Sequence, residues 1–387
     1  MKIIIIGAGE VGFHIASRLS LENKDVIVIE KNADALRRIS ENLDVQNVEG
    51  CGSSPAILEQ AGIKEADILL AVTNSDETNL VASLFANILS PATIKLARIR
   101  GEEYLMYQDA LSHDPYRIDV MINPEAEAVK ALERLLQVPG AVDAGEFADG
   151  RIKLIGVRLD GVCSWCGTRL ADLARKTTNN KILVAAIIRD EKLIIPSGDD
   201  QILEGDLIYF VSEKKELKEA LKIFGKRAEP FDRVLLIGGG NLGLRIAKAL
   251  ERLSIHTKLI EKDPDRCREL VEHLDKVIVL HGDGSDQRLL QEENIQDMDV
   301  VATLTGDEET NILTSLLAKR MGAHKTVTRI SKFSYFPLVS AIGLEHIVSP
   351  RLAAINTILQ HVRRGKVLSA MALKGAEAEA LEAVALE

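Results

Sequence analysis

The chain has 387 residues, 46% of them apolar and 27% charged, with a formal net charge of −10. That length and composition suit about two to four globular domains and exclude a mainly disordered chain, a collagen or a disulfide mini-protein. The acid excess argues against a nucleic-acid binder, which needs clustered Lys and Arg. No apolar run approaches the roughly 18 residues of a membrane span, and the start lacks a signal peptide's length and cleavage site. The four cysteines are scattered along the chain, which fits a reducing compartment better than a disulfide framework. A soluble protein without direct membrane insertion is expected.

Residues 3–6, 26–29 and 68–72 are short Ile, Val and Leu runs, the pattern of strands buried on both faces of a parallel sheet. A helical pattern at 12–21 lies between the first two, which predicts right-handed crossovers and a doubly wound sheet. The link after the first strand reads Gly7-Ala8-Gly9-Glu10-Val11-Gly12. Gly7 allows a tight turn, Gly9 leaves room for a pyrophosphate, and Gly12 lets helix and strand pack closely. The helix N-terminus adds free N–H groups and a partial positive charge. Glu30 follows Gly12 by 18 residues and ends the second strand. A carboxylate there can accept two hydrogen bonds from a ribose diol and disfavours a 2′-phosphate. NAD(H) or ATP/ADP is therefore expected over NADP(H), with Lys31 softening that exclusion. The same pattern also fits a Rossmann fold that has lost its ligand.

Further along, Cys51-Gly52 could line the adenine side of the crevice. Thr73-Asn74 fit either a cleft contact or the N-cap of a helix from residue 76. Arg98 fits a phosphate or subunit contact, or a surface ion pair. Asn123-Pro124-Glu125 opens a helical pattern over 124–136 with a wide apolar face. Glu125 reads as a first-turn acid or, as a weak metal candidate, a cation ligand at a subunit interface.

After residue 138 the texture changes. Turn signals at Pro139-Gly140, Asp149-Gly150, Asp190-Glu191, Ser197-Gly198 and Glu204-Gly205-Asp206 surround strand-like pieces at 152–157, 182–188, 192–195 and 207–211. They predict a small α+β domain over 138–225. Its Cys163-Ser164-Trp165-Cys166 is a single CxxC without the second pair zinc needs, outside the βαβ setting of a redox motif. Residues 226–231 read as a linker. The first unit then returns. Gly238-Gly239-Gly240-Asn241-Leu242-Gly243 falls 231 residues after the first glycine motif, and Glu261-Lys262 repeats Glu30-Lys31 at that offset. Asp283-Gly284, Thr305-Gly306 and Arg329 answer Cys51-Gly52, Thr73-Asn74 and Arg98, and Glu309-Thr310-Asn311 answers Glu77-Thr78-Asn79. The chain thus carries two copies of one unit. The expected fold is α/β: two Rossmann-like doubly wound parallel-sheet domains, at 1–137 and 232–364, each followed by a small α+β domain. Gly365-Lys366-Val367-Leu368 is similar to Gly150-Arg151-Ile152-Lys153, so 365–387 reads as the start of a truncated second small domain. No Ser-His-Asp, paired-carboxylate or HExxH arrangement is present.

These features together resemble the RCK (KTN) family of nucleotide-binding regulators of potassium channels and transporters. Two copies in one chain are similar to the regulatory subunits of bacterial Trk potassium-uptake systems. The resemblance covers almost the whole chain. It is carried by GAGEVG and GGGNLG, Glu30 and Glu261, Thr73-Asn74, Arg98, Asn123-Pro124, and IIPSGDDQILEGDLIYFV at 194–211, which is not expected of a dehydrogenase. It implies nucleotide contacts at Gly7 to Val11, Glu30, Thr73-Asn74 and Arg98, then at Gly238 to Leu242 and Glu261, with NAD or NADH as ligand and ATP/ADP at the same sites. It further implies a homotetrameric ring that gates a membrane-embedded potassium transporter subunit (TrkH/TrkG-like), no catalysis, and a cytoplasmic location, peripheral on the inner face of the plasma membrane. The alternatives are an NAD-dependent oxidoreductase or a nucleotide sensor for a different transporter.

Overall fold

The computed structural model describes the chain except residues 161, 162, 164, 177–181, 191, 227–230, 345, 364–366, 374–377 and 384–387. Ser164 of the CxxC, Glu191, linker residues 227–230 and Gly365-Lys366 therefore lie outside the described residues. The chain divides into two compact units, Met1–Ala128 with Pro350–Arg364, and Val129–Ser349 with Gly365–Glu387.

In the first unit, β1 (Lys2–Ile6), β2 (Asp25–Glu30), β3 (Gln46–Glu49), β4 (Ile68–Ala71), β5 (Ile94–Arg98) and β6 (Val120–Ile122) form one sheet in the order β3-β2-β1-β4-β5-β6. Every pairing in it is parallel. Ile3, Ile4, Ile5 and Ile6 are all buried, as a run covered on both faces requires. Strand order reverses between β1 and β4, and the crevice opens at their carboxyl ends. Around it lie α1 (Glu10–Leu21), α2 (Ala33–Asn42), α3 (Pro55–Gln60) and α4 (Asp76–Leu89). Helix α1 buries Val11, Gly12, Ile15, Ala16 and Leu19, one stripe at helical spacing.

The first unit also takes in a late helix, Pro350–Val362, packed on α1 and β6. Its stripe of Ala354, Ile355, Ile358, Leu359 and Val362 is buried. Thr357 Oγ1 donates to Glu127 Oε2 at 2.9 Å, and Arg363 pairs with Glu22. This helix falls within the domain expected over 232–364. Its apolar stripe is instead buried within the first unit, because periodicity fixes which face is apolar and leaves open what covers it.

The second unit holds two sheets. The small one runs β10-β9-β11-β8-β7 and is antiparallel throughout: β7 (Asp143–Phe147), β8 (Ile152–Arg158), β9 (Leu183–Arg189), β10 (Lys192–Ile194) and β11 (Leu207–Glu213). Strand β7 was not expected. It is an edge strand, and Asp-Ala-Gly-Glu-Phe shows no apolar alternation. Alternation along β11 sends Ile208 and Phe210 to a core with Ile155, Val157 and Phe224, and Leu207 and Tyr209 to the opposite face. The other sheet repeats the first unit's order: β12 (Arg233–Ile237), β13 (His256–Glu261), β14 (Ile278–His281), β15 (Val300–Thr303), β16 (Thr326–Arg329) and β17 (His346–Val348) run β14-β13-β12-β15-β16-β17.

The hairpin β18 (Val367–Ala372) and β19 (Glu379–Ala383) covers the Leu207–Tyr209 face of the small sheet. Leu373 is buried there, and a Cβ on Gly145 would lie 2.2 Å from Met371 Sδ. In chain order this hairpin follows a helix as β7 and β8 follow Pro124–Leu136, so β18 is the counterpart of β7. The expected match to Gly150-Arg151-Ile152-Lys153 was one strand out of step. The segment packs on the first small domain.

Candidate nucleotide-binding clefts

Each Rossmann sheet carries the same loop at its reversal point. Gly7 and Gly238 sit at φ +105° and +106°, where a side chain is strained. A Cβ on Gly12 would lie 1.8 Å from the Gly7 carbonyl oxygen, and one on Gly243 2.0 Å from that of Gly238. These four glycines make the loop. Gly9 and Gly240 differ: no atom lies within 4 Å of where their Cβ would be. They face open space that nothing in the protein fills. The N–H groups of Gly9, Glu10, Val11 and Gly12 find no acceptor among the described residues, nor do those of Gly240, Asn241, Leu242 and Gly243. The Val11 and Leu242 side chains are buried in the core, so only their main chain reaches the cleft.

The acids at the ends of β2 and β13 are fixed from behind. Glu30 Oε2 accepts from the Ala8 N–H at 2.7 Å, and Oε1 from the Lys31 and Asn32 N–H groups, each at 2.9 Å. Glu261 accepts from Gly239, Lys262 and Asp263 at 2.6, 2.7 and 2.9 Å. This corrects one expectation: the Ala8 and Gly239 amides orient the acid and do not point to a phosphate. Glu10 is engaged by Arg38 at 3.1 Å, a partner that Asn241 does not have. Its neighbour His14 stacks edge-on with Phe13, and burial pulls its pKa down.

Across the crevice, Thr73 is clamped by Asn79, a fully buried side chain on α4. Asn79 Oδ1 accepts from the Thr73 N–H at 3.0 Å and from Oγ1 at 2.7 Å, while Nδ2 donates to the Thr73 carbonyl at 3.2 Å and the Arg98 carbonyl at 2.8 Å. Asn311 does the same for Thr305 and Arg329. This clamp is a site element beyond those expected, and its signal in the sequence is the repeat of Glu-Thr-Asn at 77–79 and 309–311. The helix caps are Ser75 and Asp307, which accept from the Thr78 and Thr310 N–H groups at 3.0 and 2.7 Å, not Thr73 or Asn74. Each cap is the last extended residue before its helix.

Arg98 is 8% exposed, so it is not a surface ion pair. Its Nη1 donates to Asn74 Oδ1 at 3.3 Å, and its Nε is buried with no hydrogen-bond partner. Burial, then the charges of Arg100 and Arg351, push its pKa down to about 10, against a pull from Asp76. Asp76 Oδ2 holds the following loop by accepting from the Arg100 and Gly101 N–H groups at 2.8 and 2.7 Å. Glu308 does likewise for Ser331 and Lys332 at 3.1 and 3.2 Å. Arg329 donates to the Leu304 and Thr305 carbonyls at 3.1 and 3.3 Å, and Gly306 offers no counterpart to the Asn74 amide.

Gly52 and Gly284 serve packing. A Cβ on either would lie 2.0 or 2.2 Å from Ile6 or Ile237 Cγ2, so they let the loop cross the strand end. Cys51 is exposed, its thiol 3.1 Å from Ser53 Oγ, and that hydrogen bond lowers its pKa. Its counterpart Asp283 pairs with Lys262 at 2.9 Å and accepts from Ser285, which holds its pKa well below the usual range. Lys31 has no carboxylate partner among the described residues. Glu125 stands in the first turn of Pro124–Leu136, capped by Asn123, whose Oδ1 accepts from the Ala126 N–H at 2.9 Å. Cys163 is buried and Cys166 half-buried, both free thiols. No cluster of His, Cys, Asp or Glu able to hold a metal occurs among the described residues.

The TrkA-N domain family model matches residues 3–124 and 234–350, and the TrkA-C domain model residues 154–225. The Trk system potassium uptake protein TrkA of Halomonas elongata is 40% identical over 385 residues, spanning 100% of this chain and 84% of the relative. That of Vibrio alginolyticus is 39% identical over 386 residues, with 100% and 84% covered. The chain belongs to the TrkA family. Solved structures place this TrkA-family chain in the RCK fold. The GsuK RCK domain superposes with a TM-score of 0.65 at 19% identity, covering 94% of this chain and 77% of that one. The GsuK channel bound to NAD gives 0.65 at 17%, covering 93% and 63%. The human SLO3 gating ring gives 0.55 at 13%, covering 94% and 83%. No described helix of the TrkA-family chain is long and apolar enough to cross a membrane.

Proposed function

We propose that this chain is a nucleotide-sensing regulatory subunit that gates a membrane-embedded potassium transporter of the TrkH/TrkG kind. The observation that carries the reading is the duplicated cleft: a carboxylate pre-oriented by three amides, beside a run of unpaired N–H groups under a glycine that faces open space. Glu30 and Glu261 would take the ribose hydroxyls, the loop amides a phosphate, and Arg98 a second phosphate through its unpartnered Nε. NAD or NADH fits these groups, and so do ATP and ADP. The GsuK channel, of the same fold, has been solved with NAD and with ADP.

A ligand moves such a subunit between two shapes only by its difference in affinity for them. The Asn79 and Asn311 clamps suit that task, because each ties a cleft threonine to the end of a neighbouring strand. Two RCK units per chain would make a homotetramer of an eight-unit ring, at the inner face of the plasma membrane and without chemical turnover. The rival, an NAD-dependent oxidoreductase, needs a His or Lys beside the nicotinamide; residues 138–225 contain no His, and the buried lysine among the described residues there, Lys153, pairs with Glu146.

Calorimetry with NAD, NADH, ATP and ADP on wild type, Glu30→Ala and Glu261→Ala tests the site. Each substitution should abolish one class of site. Unchanged affinities in both would overturn the assignment, and consumption of NADH with a small carbonyl would favour the rival. Gating is tested by potassium flux through co-reconstituted transporter with and without each nucleotide.

A further inference from the structure

The two clefts share one frame but differ in charge, and the difference that bears on a nucleotide's distal phosphates lies beside Arg98. At the carboxyl end of the fifth strand the first cleft has two guanidinium groups, Arg98 and Arg100. The second has Arg329, tied to two carbonyls, and the neutral Ser331 in place of Arg100. Arg100 is braced: Nη2 donates to the Asn74 carbonyl, and Nε lies 3.7 Å from Asp76 Oδ1. Its side chain is nevertheless 48% exposed, within reach of a ligand. On the opposite wall Cys51 is replaced by Asp283, which neutralises Lys262, whereas Lys31 has no carboxylate partner among the described residues. Both exchanges make the first cleft more positive. Exchanges that run the other way include Glu10 for Asn241, which pairs with Arg38 at 3.1 Å, Lys332 for Gly101, which pairs with Glu309 at 3.1 Å, Arg266 for Ala35, which pairs with Glu269 at 2.7 Å, and Arg245 for His14 on the helix after the glycine loop; none of them replaces Arg100 at the end of the fifth strand. The acids that hold the loop, Asp76 and Glu308, are common to both. Arg98 Nε, buried and without an acceptor among the described residues, lies at this end of the first cleft, whereas the unpartnered Nη2 of Arg266 belongs to the other wall of the second cleft, where Nε of the same side chain donates to the Gly239 carbonyl at 2.8 Å.

We infer that the two clefts divide the nucleotides between them. The first selects ligands by the number of distal phosphates and prefers a nucleoside di- or triphosphate. The second is nearly indifferent to phosphate number, and Arg100 against Ser331 sets the difference. The inference rests on the nucleotide reading above and deepens it.

The test is calorimetry on the full chain with AMP, ADP and ATP, using Glu261→Ala to report the first cleft and Glu30→Ala the second. The first cleft should tighten at least tenfold from AMP to ATP, as expected for one added charged hydrogen-bond pair, and the second less than about threefold. Arg100→Ser, added to Glu261→Ala, should remove about tenfold of that gain, and Arg100→Lys should retain most of it. Ser331→Arg, added to Glu30→Ala, should create a gain in the second cleft. The gain should shrink at high salt. Equal gains in both clefts, or a gain that survives Arg100→Ser, would sink the inference and leave the nucleotide sites standing. If neither acid substitution alters binding, the site reading itself falls.

Discussion

Replacing Asn79 with alanine strips one buried side chain of four hydrogen bonds that join α4, the loop after β4 and the end of β5. The Arg98 carbonyl then sits buried without a partner, and the Thr73 N–H and carbonyl are left half-buried. A buried unsatisfied group costs about 1–3 kcal/mol, so one full and two partial penalties come to about 2–4 kcal/mol. The loss should be local, because Thr73 and Arg98 flank one crevice. Hydrogen exchange followed by mass spectrometry should show faster exchange in residues 70–76 and 98–101, and calorimetry should show weaker nucleotide binding in the first cleft alone. Asn311→Ala should do the same in the second. Asn79→Asp keeps the acceptor for Thr73 but sets a carboxylate oxygen against two carbonyls, and should be no better. A wild-type exchange pattern in Asn79→Ala, with stability within about 0.5 kcal/mol, would refute the clamp.

The glycines divide into two groups that one experiment separates. Gly9→Ala places its Cβ in open space at an ordinary φ of −67°, so stability should hold within about 0.5 kcal/mol while nucleotide affinity drops at least tenfold. Gly12→Ala, with its Cβ driven against the Gly7 carbonyl, should lower the melting temperature as well. In the small domain, Asp206 is 1% exposed and accepts from Arg189 Nε and Nη2 at 2.8 and 2.7 Å and from the Leu203 N–H at 2.8 Å. Asp206→Asn should cost about 2–3 kcal/mol in urea unfolding. Hydrogen bonds from Tyr335, then its own main chain and Lys332, hold the Glu309 pKa at about 2, below an ordinary 4.5. A depressed carboxylate stabilises the fold above its unfolded value and loses that contribution as pH falls toward 2. Wild type and Glu309→Gln should therefore differ in stability above pH 5 and converge near pH 2; a constant gap across that range would contradict this.

The Rossmann units were legible because their signals are local. Glycines at fixed spacing, an acid 18 residues on, and runs such as Ile3 to Ile6 each report on a few neighbouring residues. The repeat then turned each weak signal into a pair. What escaped depends on partners far along the chain. Asn79 reads as one polar residue on a helix until its four bonds are known. The apolar stripe from Ala354 to Val362 predicts burial but not against α1. Thr73 looked like a cap because capping residues and cleft residues are the same small polar types. Ala8 looked like a phosphate contact because a motif does not say which amides its own carboxylate uses. Strand β7 hid because an edge strand with Asp, Gly and Glu carries no alternation.

The borrowed helix at Pro350–Val362 sets a timetable for biogenesis. The first unit is nearly complete once Ala128 has left the ribosome, yet its missing wall is encoded roughly 220 residues later. At about 5–20 residues per second, that wall arrives some 10–45 seconds after its bed is made. Through that interval the nascent chain carries an uncovered apolar seam along α1. Until that wall arrives, the seam is open to any apolar helix that can reach it, as transiently exposed apolar surface in a large chain generally is.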